Sequence, residues 1–177
     1  MISDVFTTHN TQPQVGSDSL ALLTFQVADQ LYGLPISNVI RIIEMVTITR
    51  LPDISDLIQG MINLHGKAVP VMDLRRRFGL SSQAYGPHTP IILAEIGVDN
   101  RILGLIVDEV DQILDVPPEA FELTDLIVPT ELMNQMTSDV SYLAGVAKTD
   151  RQIILILNVQ TLVTPTDQVR LSQALGE

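Results

Sequence analysis

The amino-acid sequence predicts an all-β protein built from small barrels. Its hydrophobic residues form many short, β-branched runs that are separated by turns rich in polar residues and glycine. Between these runs the sequence lacks the helical crossovers of ten or more residues that a parallel sheet needs. A third observation is an internal repeat, because the same order of strands and turns occurs twice. Together these features favour two small barrels over one open sheet.

The repeat rests on two pairs of matching segments. Residues 31–39 align with residues 102–110 at a constant offset of 71, and each segment follows a predicted strand and a polar turn. Residues 70–74 align with residues 155–159 at an offset of 85, which places an insertion within residues 117–141. Either match could arise by chance in a chain rich in Ile, Val and Leu. Both matches in the same order indicate a duplicated unit.

Length and composition indicate a globular protein with an ordinary core. Of the 177 residues, 46% are hydrophobic and 18% are charged, and cysteine is absent, which excludes disulfides and thiolate chemistry. No apolar stretch reaches the roughly 20 residues of a membrane-spanning helix, and residues 1–19 lack the pattern of a signal peptide. We therefore expect a cytoplasmic protein without direct membrane insertion.

The net charge of −11 argues against nucleic-acid binding through phosphate neutralisation. This charge is unevenly distributed along the chain. Residues 1–88 carry six Lys/Arg and seven Asp/Glu, whereas residues 89–177 carry four and fourteen. We therefore expect two units with different electrostatic surfaces.

Four segments carry a resemblance to a known family. Residues 60–74 read Gly-Met-Ile-Asn-Leu-His-Gly-Lys-Ala-Val-Pro-Val-Met-Asp-Leu, and residues 32–36, 104–110 and 142–146 follow the same family pattern. Together they closely resemble the CheW-like domain over about residues 18–165. The resemblance implies two intertwined five-stranded SH3-like barrels with short helices. The first barrel is expected at about residues 20–80 and the second at about 88–158, between a flexible tail (1–17) and a helical C-terminal segment (166–177).

The same resemblance implies a non-enzymatic adaptor in a chemotaxis-like two-component pathway. Such proteins couple the cytoplasmic tips of methyl-accepting chemoreceptors to the regulatory domain of the histidine kinase CheA, and they also pair with other CheW-like proteins in receptor arrays. Carried over by motif, the receptor-binding residues are Val39, Pro90, Gly104 and Ile113, and the kinase-binding residues are Arg41, Met61 and His65. Simple burial in the core remains an equally good interpretation of Val39 and Ile113.

Two positions depart from the family pattern. Arg41 stands where the family usually has Glu, and His65 stands where it usually has Arg. The attraction between Glu and Arg is thereby lost, because Arg and His cannot attract each other when His is protonated. This change favours a partner with carboxylates at that place and a specialised paralogue, with a role in pilus-driven twitching or phototaxis.

Several motif residues are predicted to maintain the fold. Gly60 and Gly66 suit bulges or corners with positive φ, Pro70 suits an edge or a bulge, and Asp73 suits the N-cap of a short helix beginning at Leu74. Further short helices are predicted at residues 55–57, 131–135 and 166–175.

Charged clusters invite other functions, which the sequence does not support. Arg75, Arg76 and Arg77 are predicted to form a solvated face that opposes an acidic partner surface. The acids at 108, 109, 111 and 115 are predicted to form a solvated rim, because no calcium-loop pattern is present. The three histidines lack metal-ligand spacing, and neither a catalytic triad nor a phosphate loop appears. We therefore predict no catalysis, no cofactor and no metal.

Two rival functions remain open at this point. The chain could be the regulatory domain of a histidine kinase, although it opens with Met1 and contains no dimerisation or ATP-binding segment. It could also be a small-molecule sensor with a pocket at the barrel junction. A deep, closed apolar cavity there would favour the sensor, and an open groove would favour helix docking.

Overall fold

The computed structural model describes residues 18–123 and 141–176. Within these ranges the chain forms eleven strands, three α-helices and two 3-10 turns, Ile36–Asn38 and Pro118–Ala120. The strands are β1 Leu20–Val27, β2 Gln30–Pro35, β3 Val39–Glu44, β4 Ile58–Leu64, β5 Lys67–Asp73, β6 Pro90–Ile96, β7 Arg101–Ile106, β8 Glu109–Val116, β9 Phe121–Leu123, β10 Leu143–Lys148 and β11 Ile153–Leu157. The helices are α1 Leu74–Arg77, α2 Val159–Leu162 and α3 Pro165–Ala174.

The strands form two sheets, and each sheet takes strands from both halves of the chain. The six-stranded sheet has the order β8-β1-β2-β11-β10-β9, and the five-stranded sheet has the order β3-β6-β7-β5-β4. After the hairpin β1–β2, and again after β6–β7, the chain leaves one sheet and enters the other. The ranges 20–80 and 88–158 therefore correspond to the two repeat units, whereas each sheet combines both units. The barrels are intertwined, as the resemblance implied.

Strand register confirms the internal repeat. In the six-stranded sheet the parallel strands β11 and β2 pair Ile156 with Gly33, and in the five-stranded sheet β5 and β7 pair Val71 with Gly104. These two pairs are related by the offsets of 85 and 71 that the sequence predicts. The helix caps repeat as well, because the side chains of Asp73 and Asn158 each accept the N–H of the residue two positions later.

Two equivalent glycines let the chain return to the far edge of each sheet. Thr49, beyond β3, exchanges both backbone hydrogen bonds with Met61 at 2.8 Å, and a Cβ on the neighbouring Gly60 would lie 2.4 Å from the Thr49 carbonyl oxygen. In the other sheet β9 pairs with β10, and a Cβ on Gly145 would lie 2.6 Å from the Glu122 carbonyl oxygen. Glycine is required at both places because the crossing backbone occupies the space of a side chain.

Of the short helices predicted from the sequence, one is confirmed and one is wrong, and the glycine and proline predicted to maintain the fold lie at a turn and beside a strand pairing. Gly66 has φ +86° at the β4–β5 turn, and Pro70 directly precedes Val71, where the pairing of β5 with β7 begins. The helix predicted at residues 166–175 is confirmed by α3. Residues 56–57 form a turn rather than part of a helix, and Ile58 N–H donates to the Ser55 carbonyl. The helix predicted at 131–135 lies outside the described residues.

The largest hydrophobic core joins the two sheets. It includes Phe25 and Tyr32 of the six-stranded sheet together with Met72 and Leu105 of the five-stranded sheet. Smaller clusters lie within each sheet, around Val71 and Leu93 in one, and around Leu22, Ile154 and Ile156 in the other. The two barrels are thus held together by more buried apolar side chains than either contains alone.

Four aromatic rings form a continuous stack within this shared core. The ring centroids of Phe25 and Tyr32 lie 6.0 Å apart, those of Tyr32 and Phe78 4.7 Å, and those of Phe78 and Tyr142 4.8 Å. Such contacts add about 0.5–1.5 kcal/mol each beyond the burial of apolar area. The stack connects residues that are far apart in sequence and thereby fixes the two units to each other.

We expect Gly60→Ala to lower the free energy of unfolding by about 2–4 kcal/mol, since the added methyl group meets backbone that cannot move without breaking the Thr49–Met61 bonds. Urea unfolding measures the change. Gly86→Ala is the matched control, because the nearest atom to its Cβ is 3.9 Å away and its φ lies outside the positive range. Equal stability of the two variants would contradict the closure described above.

Candidate partner-binding surfaces

The edge strands β3 and β8 expose apolar side chains to solvent. Ile40 and Ile42 on β3 are 47% and 42% exposed, and Ile113 on β8, the repeat equivalent of Ile42, is 55% exposed. Both edges contain a bulge, which lies between Val39 and Arg41 on β3. Bulges discourage indiscriminate strand pairing, whereas exposed apolar residues favour contact with a specific partner. The two edges are therefore candidate docking surfaces.

Both edges begin at the junction between the two sheets. The 3-10 turn before β3 contacts β1 and β6, which belong to different sheets. Before β8, Val107 N–H donates to the Pro90 carbonyl at 3.2 Å and Asp108 N–H donates to the Gln26 carbonyl at 3.0 Å, so this segment also bridges both sheets. Val39 and its equivalent Val110 pack against the shared core. The shared core consequently fixes where each edge starts.

The predicted receptor-binding residues occupy different environments. Val39 and Pro90 are both half-buried beside the two crossovers, whereas Ile113 points to solvent from β8. Gly104 is buried, and a Cβ there would lie 2.6 Å from Val71 Cγ1 and 3.1 Å from Ile91 Cγ2. Packing inside the sheet therefore accounts for this glycine without a docked helix. The structure brings Val39 and Pro90 to the junction and leaves their contact with a receptor a prediction.

The predicted kinase-binding residues differ in their exposure. Arg41 is exposed on β3, opposite Leu93, and His65 is exposed at the β4–β5 turn with φ +50°. Met61 is only 6% exposed, so its side chain belongs to the packing of the sheet. Among residues 18–123 and 141–176, no hydrogen bond or ion pair joins Arg41 to His65. Of the three residues, only Arg41 and His65 present substantial surface to a partner.

Charge separates the two sheets. The strands of the six-stranded sheet carry four carboxylates, at positions 109, 111, 115 and 122, and one ammonium group, Lys148. The strands of the five-stranded sheet carry three acidic and three basic residues. The asymmetry predicted between the halves of the chain therefore also appears between the two sheets. Edge β3 combines isoleucines with Arg41, whereas edge β8 combines Ile113 with carboxylates.

An ion pair fixes the segment that leads into β8. The Arg75 guanidinium donates from Nε to Asp108 Oδ1 at 2.8 Å and from Nη2 to Asp108 Oδ2 at 2.6 Å, and Ala28 N–H donates to the same carboxylate at 2.7 Å. Burial pushes the pKa of Asp108 upward, but the hydrogen bonds from Arg75 and Ala28 outweigh it and hold that pKa below its usual range. Asp108 is therefore engaged in an ion pair although it lies at the surface, and this distinguishes it from the exposed acids that follow it.

The arginine run is also not a solvated face. Arg77 is 6% exposed, its Nε donates to the Leu162 carbonyl at 2.8 Å, and its guanidinium carbon lies 4.7 Å from the centroid of the Tyr142 ring. Arg75 is engaged with Asp108, which leaves Arg76 as the exposed member of the run. The prediction was wrong for two of the three because α1 lies between the two units, where long side chains have carbonyl, carboxylate and aromatic groups within reach.

The loop between the repeat units is anchored to α1. Tyr85 O–H donates to Asp73 Oδ2 at 2.6 Å, while Asp73 Oδ1 accepts the N–H of Arg75. Burial and this hydrogen bond raise the pKa of the Tyr85 hydroxyl. Arg75 Nη1 also donates to the Ser81 carbonyl at 3.2 Å. These bonds hold the chain that leads to Pro90, and periodicity could not reveal them because they depend on loop geometry.

The described residues offer no assembled chemical centre. They contain no group of three or more His, Cys, Asp or Glu that could hold a metal ion. Within the same ranges, no helix is long and apolar enough to cross a membrane. The shared core and its aromatic stack occupy the junction where a sensor pocket was considered. The geometry is suited to contacts between proteins rather than to chemistry on a small molecule.

Comparisons with known proteins agree with this geometry. The family model described as "CheW-like domain" matches residues 21–166. The chain is 26% identical over 142 residues to the chemotaxis protein CheW of Klebsiella aerogenes, covering 80% of each chain. It is 27% identical over 146 residues to the protein FrzA of Myxococcus xanthus, covering 81% of this chain and 85% of that one. The crystal structure of the scaffolding protein TtCheW from Thermoanaerobacter tengcongensis superposes with a TM-score of 0.72 at 31% identity, covering 84% of this chain and 95% of that one.

We expect Asp108→Asn to reduce the free energy of unfolding by about 2 kcal/mol at neutral pH, because a charge-assisted, two-pronged hydrogen bond is lost. Since the folded-state pKa is depressed, this stabilisation is present above the unfolded pKa of about 4 and disappears as the pH falls through the folded value. Unfolding of both proteins at several pH values tests this. Glu109→Gln, an exposed neighbour, should change stability little, and an equal effect of both substitutions would disprove the role of the ion pair.

Proposed function

Because the chain belongs to the CheW-like domain family, we propose that it is a non-enzymatic adaptor that couples chemoreceptors to a CheA-type histidine kinase. The named relatives support this role, since one is a chemotaxis protein CheW and another is a scaffolding protein. Its partners are the regulatory domain of the kinase, the cytoplasmic tip of a chemoreceptor and other CheW-like proteins. It acts in the cytoplasm at membrane-associated receptor arrays, without cofactor or metal.

The observation that carries the proposal is the pair of exposed edges at one junction. An adaptor must hold two partners at a fixed relative position. The edges β3 and β8 start at the same shared core, and they differ in charge. Exposed isoleucines on each edge supply apolar contact area, and the surrounding charges supply selectivity. A rigid core with two unlike edges suits a scaffold that orients a receptor and a kinase.

The receptor surface centres on the junction and on β8. Ile113 offers the largest apolar exposure of the four motif residues, and Val39 and Pro90 border the two crossovers. An amphipathic receptor helix would place its apolar stripe against these side chains. Gly104 contributes indirectly, because it lets β5, β6 and β7 pack closely.

The kinase surface centres on Arg41 and His65. Arg41 stands between the exposed Ile40 and Ile42 on β3, and within the described part of the chain it has no ionic partner. A kinase surface that presents a carboxylate would meet this guanidinium, whereas a surface matched to the family's usual glutamate would present a like charge. These departures support a specialised paralogue that serves pilus-driven twitching or phototaxis rather than general chemotaxis.

The proposal predicts that substitutions on β8 weaken receptor binding and that substitutions on the kinase surface alter kinase binding. We expect Ile113→Asp to weaken binding to the chemoreceptor tip at least about tenfold, because a desolvated carboxylate replaces an apolar contact. Isothermal titration calorimetry with receptor fragments from the source cell measures this affinity. Ile153→Asp is the matched control, since Ile153 is also an isoleucine of the six-stranded sheet and is 44% exposed. Unchanged receptor affinity in Ile113→Asp would refute the assignment of β8.

The kinase surface has its own test. Arg41→Glu combined with His65→Arg restores the usual family residues, and we expect it to shift preference among the CheA-type regulatory domains of the source cell by about tenfold. Competition binding measures the preference, and Arg151→Glu, an exposed cation in the β10–β11 turn, serves as the control. If no regulatory domain binds the unaltered chain, the adaptor function itself fails. If binding occurs but the preference stays the same, the specialised role fails.

A further inference from the structure

A cleft separates α3 from the five-stranded sheet. It has a volume of about 780 Å³ and lies against the β6–β7 turn and the start of β5. Val69, Pro70 and Ile102 line it from the sheet, and Val169 of α3 and the C-cap residue Leu175 line it from the opposite side. The lining residues of α3 extend from Pro165 to the end of the helix, a length of about 15 Å. The cleft lies on neither edge strand, although Lys67 at its rim is two residues from His65 of the proposed kinase surface.

Apolar side chains beside this cleft are unusually exposed. Val98, at the tip of the β6–β7 turn, is 96% exposed, and Val169 on α3 is 57% exposed. The equivalent turn of the first unit, between β1 and β2, has only two residues, Ala28 and Asp29, and contains no large apolar side chain. The longer turn of the second unit is what carries Val98 to the rim. Exposed apolar groups on both walls of one cleft are typical of a docking site.

The cleft also carries positive charges at two positions whose repeat equivalents are uncharged. Lys67 and Arg101 lie along it, and the offsets of the repeat match them to Gln152 and Gln30. Arg101 is held in place by a 2.7 Å hydrogen bond from Nη1 to Ser172 Oγ of α3, and its contact with Asp99 is long, at 3.9 Å. Lys67 is exposed and has no ion pair within the described residues. Among the described residues that line the cleft there are two cations and one carboxylate, in a chain with a net charge of −11.

We propose that this cleft docks an amphipathic helix of a partner protein, with the apolar side of that helix between α3 and Val98 and its carboxylates facing Lys67 and Arg101. The length of α3 provides contact for about three turns of such a helix. A drug-sized ligand is a poorer occupant, because ligand pockets enclose most of the ligand surface and here Val98 and Val169 stand open to solvent. Charge complementarity selects an acidic helix over a basic one.

Two synthetic helical peptides of about 14 residues test the proposal. Both have the same leucine and alanine face, and the polar face carries glutamate in one and lysine in the other. Methyl NMR of the full chain follows Val98, Val169 and Leu175 during titration to about 1 mM peptide. We expect saturable shifts at these methyl groups with the glutamate peptide and much weaker ones with the lysine peptide.

Variants separate the contributions of charge and apolar contact. Lys67→Glu should weaken binding of the glutamate peptide about fivefold and strengthen binding of the lysine peptide, whereas Arg151→Glu, in the corresponding turn of the second unit, should leave both affinities unchanged. Val169→Asp should weaken binding of the glutamate peptide at least about tenfold. Urea unfolding confirms that each variant is folded.

Four results would overturn the proposal. These are the absence of shifts at the cleft, equal shifts with both peptides, shifts confined to β3 and β8, and cleft signals that depend on protein concentration without peptide. The last result would identify a second copy of the chain as the occupant. Because cleft binding is read at Val98, Val169 and Leu175, which belong to neither the receptor surface nor the kinase surface, receptor and kinase binding can succeed while the cleft fails, and the reverse also holds.

Discussion

The shared core between the two sheets is the contact on which the rest of the structure depends. The first unit contributes a hairpin to the six-stranded sheet and three strands to the other sheet. The second unit contributes a hairpin to the five-stranded sheet and four strands to the other, so neither sheet is complete without both units. The stack from Phe25 to Tyr142 and the buried Arg77 lie where the units meet. Displacing one unit would break sheet pairing and core packing together, which makes the relative position of the edges β3 and β8 a property of the whole fold.

The two repeat units share a backbone arrangement but hold it with different side-chain interactions. Arg75 and Gln160 are equivalent under the offset of 85, and each helps to tie a hairpin turn to a helix. Arg75 does so through Asp108, which accepts from Ala28, whereas Gln160 Oε1 accepts directly from Gly97 N–H. The first arrangement is ionic and depends on the charge of Asp108, and the second is neutral. The two turns therefore respond differently to pH although the backbone around them is alike.

Much of the fold could be predicted because it depends on residue patterns that are local in sequence. The offset between Gly33 and Gly104 gave the repeat, and Asp73 before Leu74 gave the helix cap. The exchange of strands between sheets could not be derived from these patterns, because a crossover and a tight hairpin use similar residues. The roles of Arg75 and Arg77 were missed for a related reason. A charged side chain on a short helix is solvated or buried according to what the distant Asp108 and Tyr142 supply.

Fusion of the two units in one chain has a consequence for the edges. Two separate copies of a single unit, exchanging strands in the same way, would form a symmetric pair with identical edges. A substitution in one copy would then appear in both. In the fused chain Ile40 and its equivalent Asp111 differ freely, as do Arg41 and Gln112. Because the two units are covalently linked, equivalent edge positions can carry different residues, and the protein can bind two different partners at once.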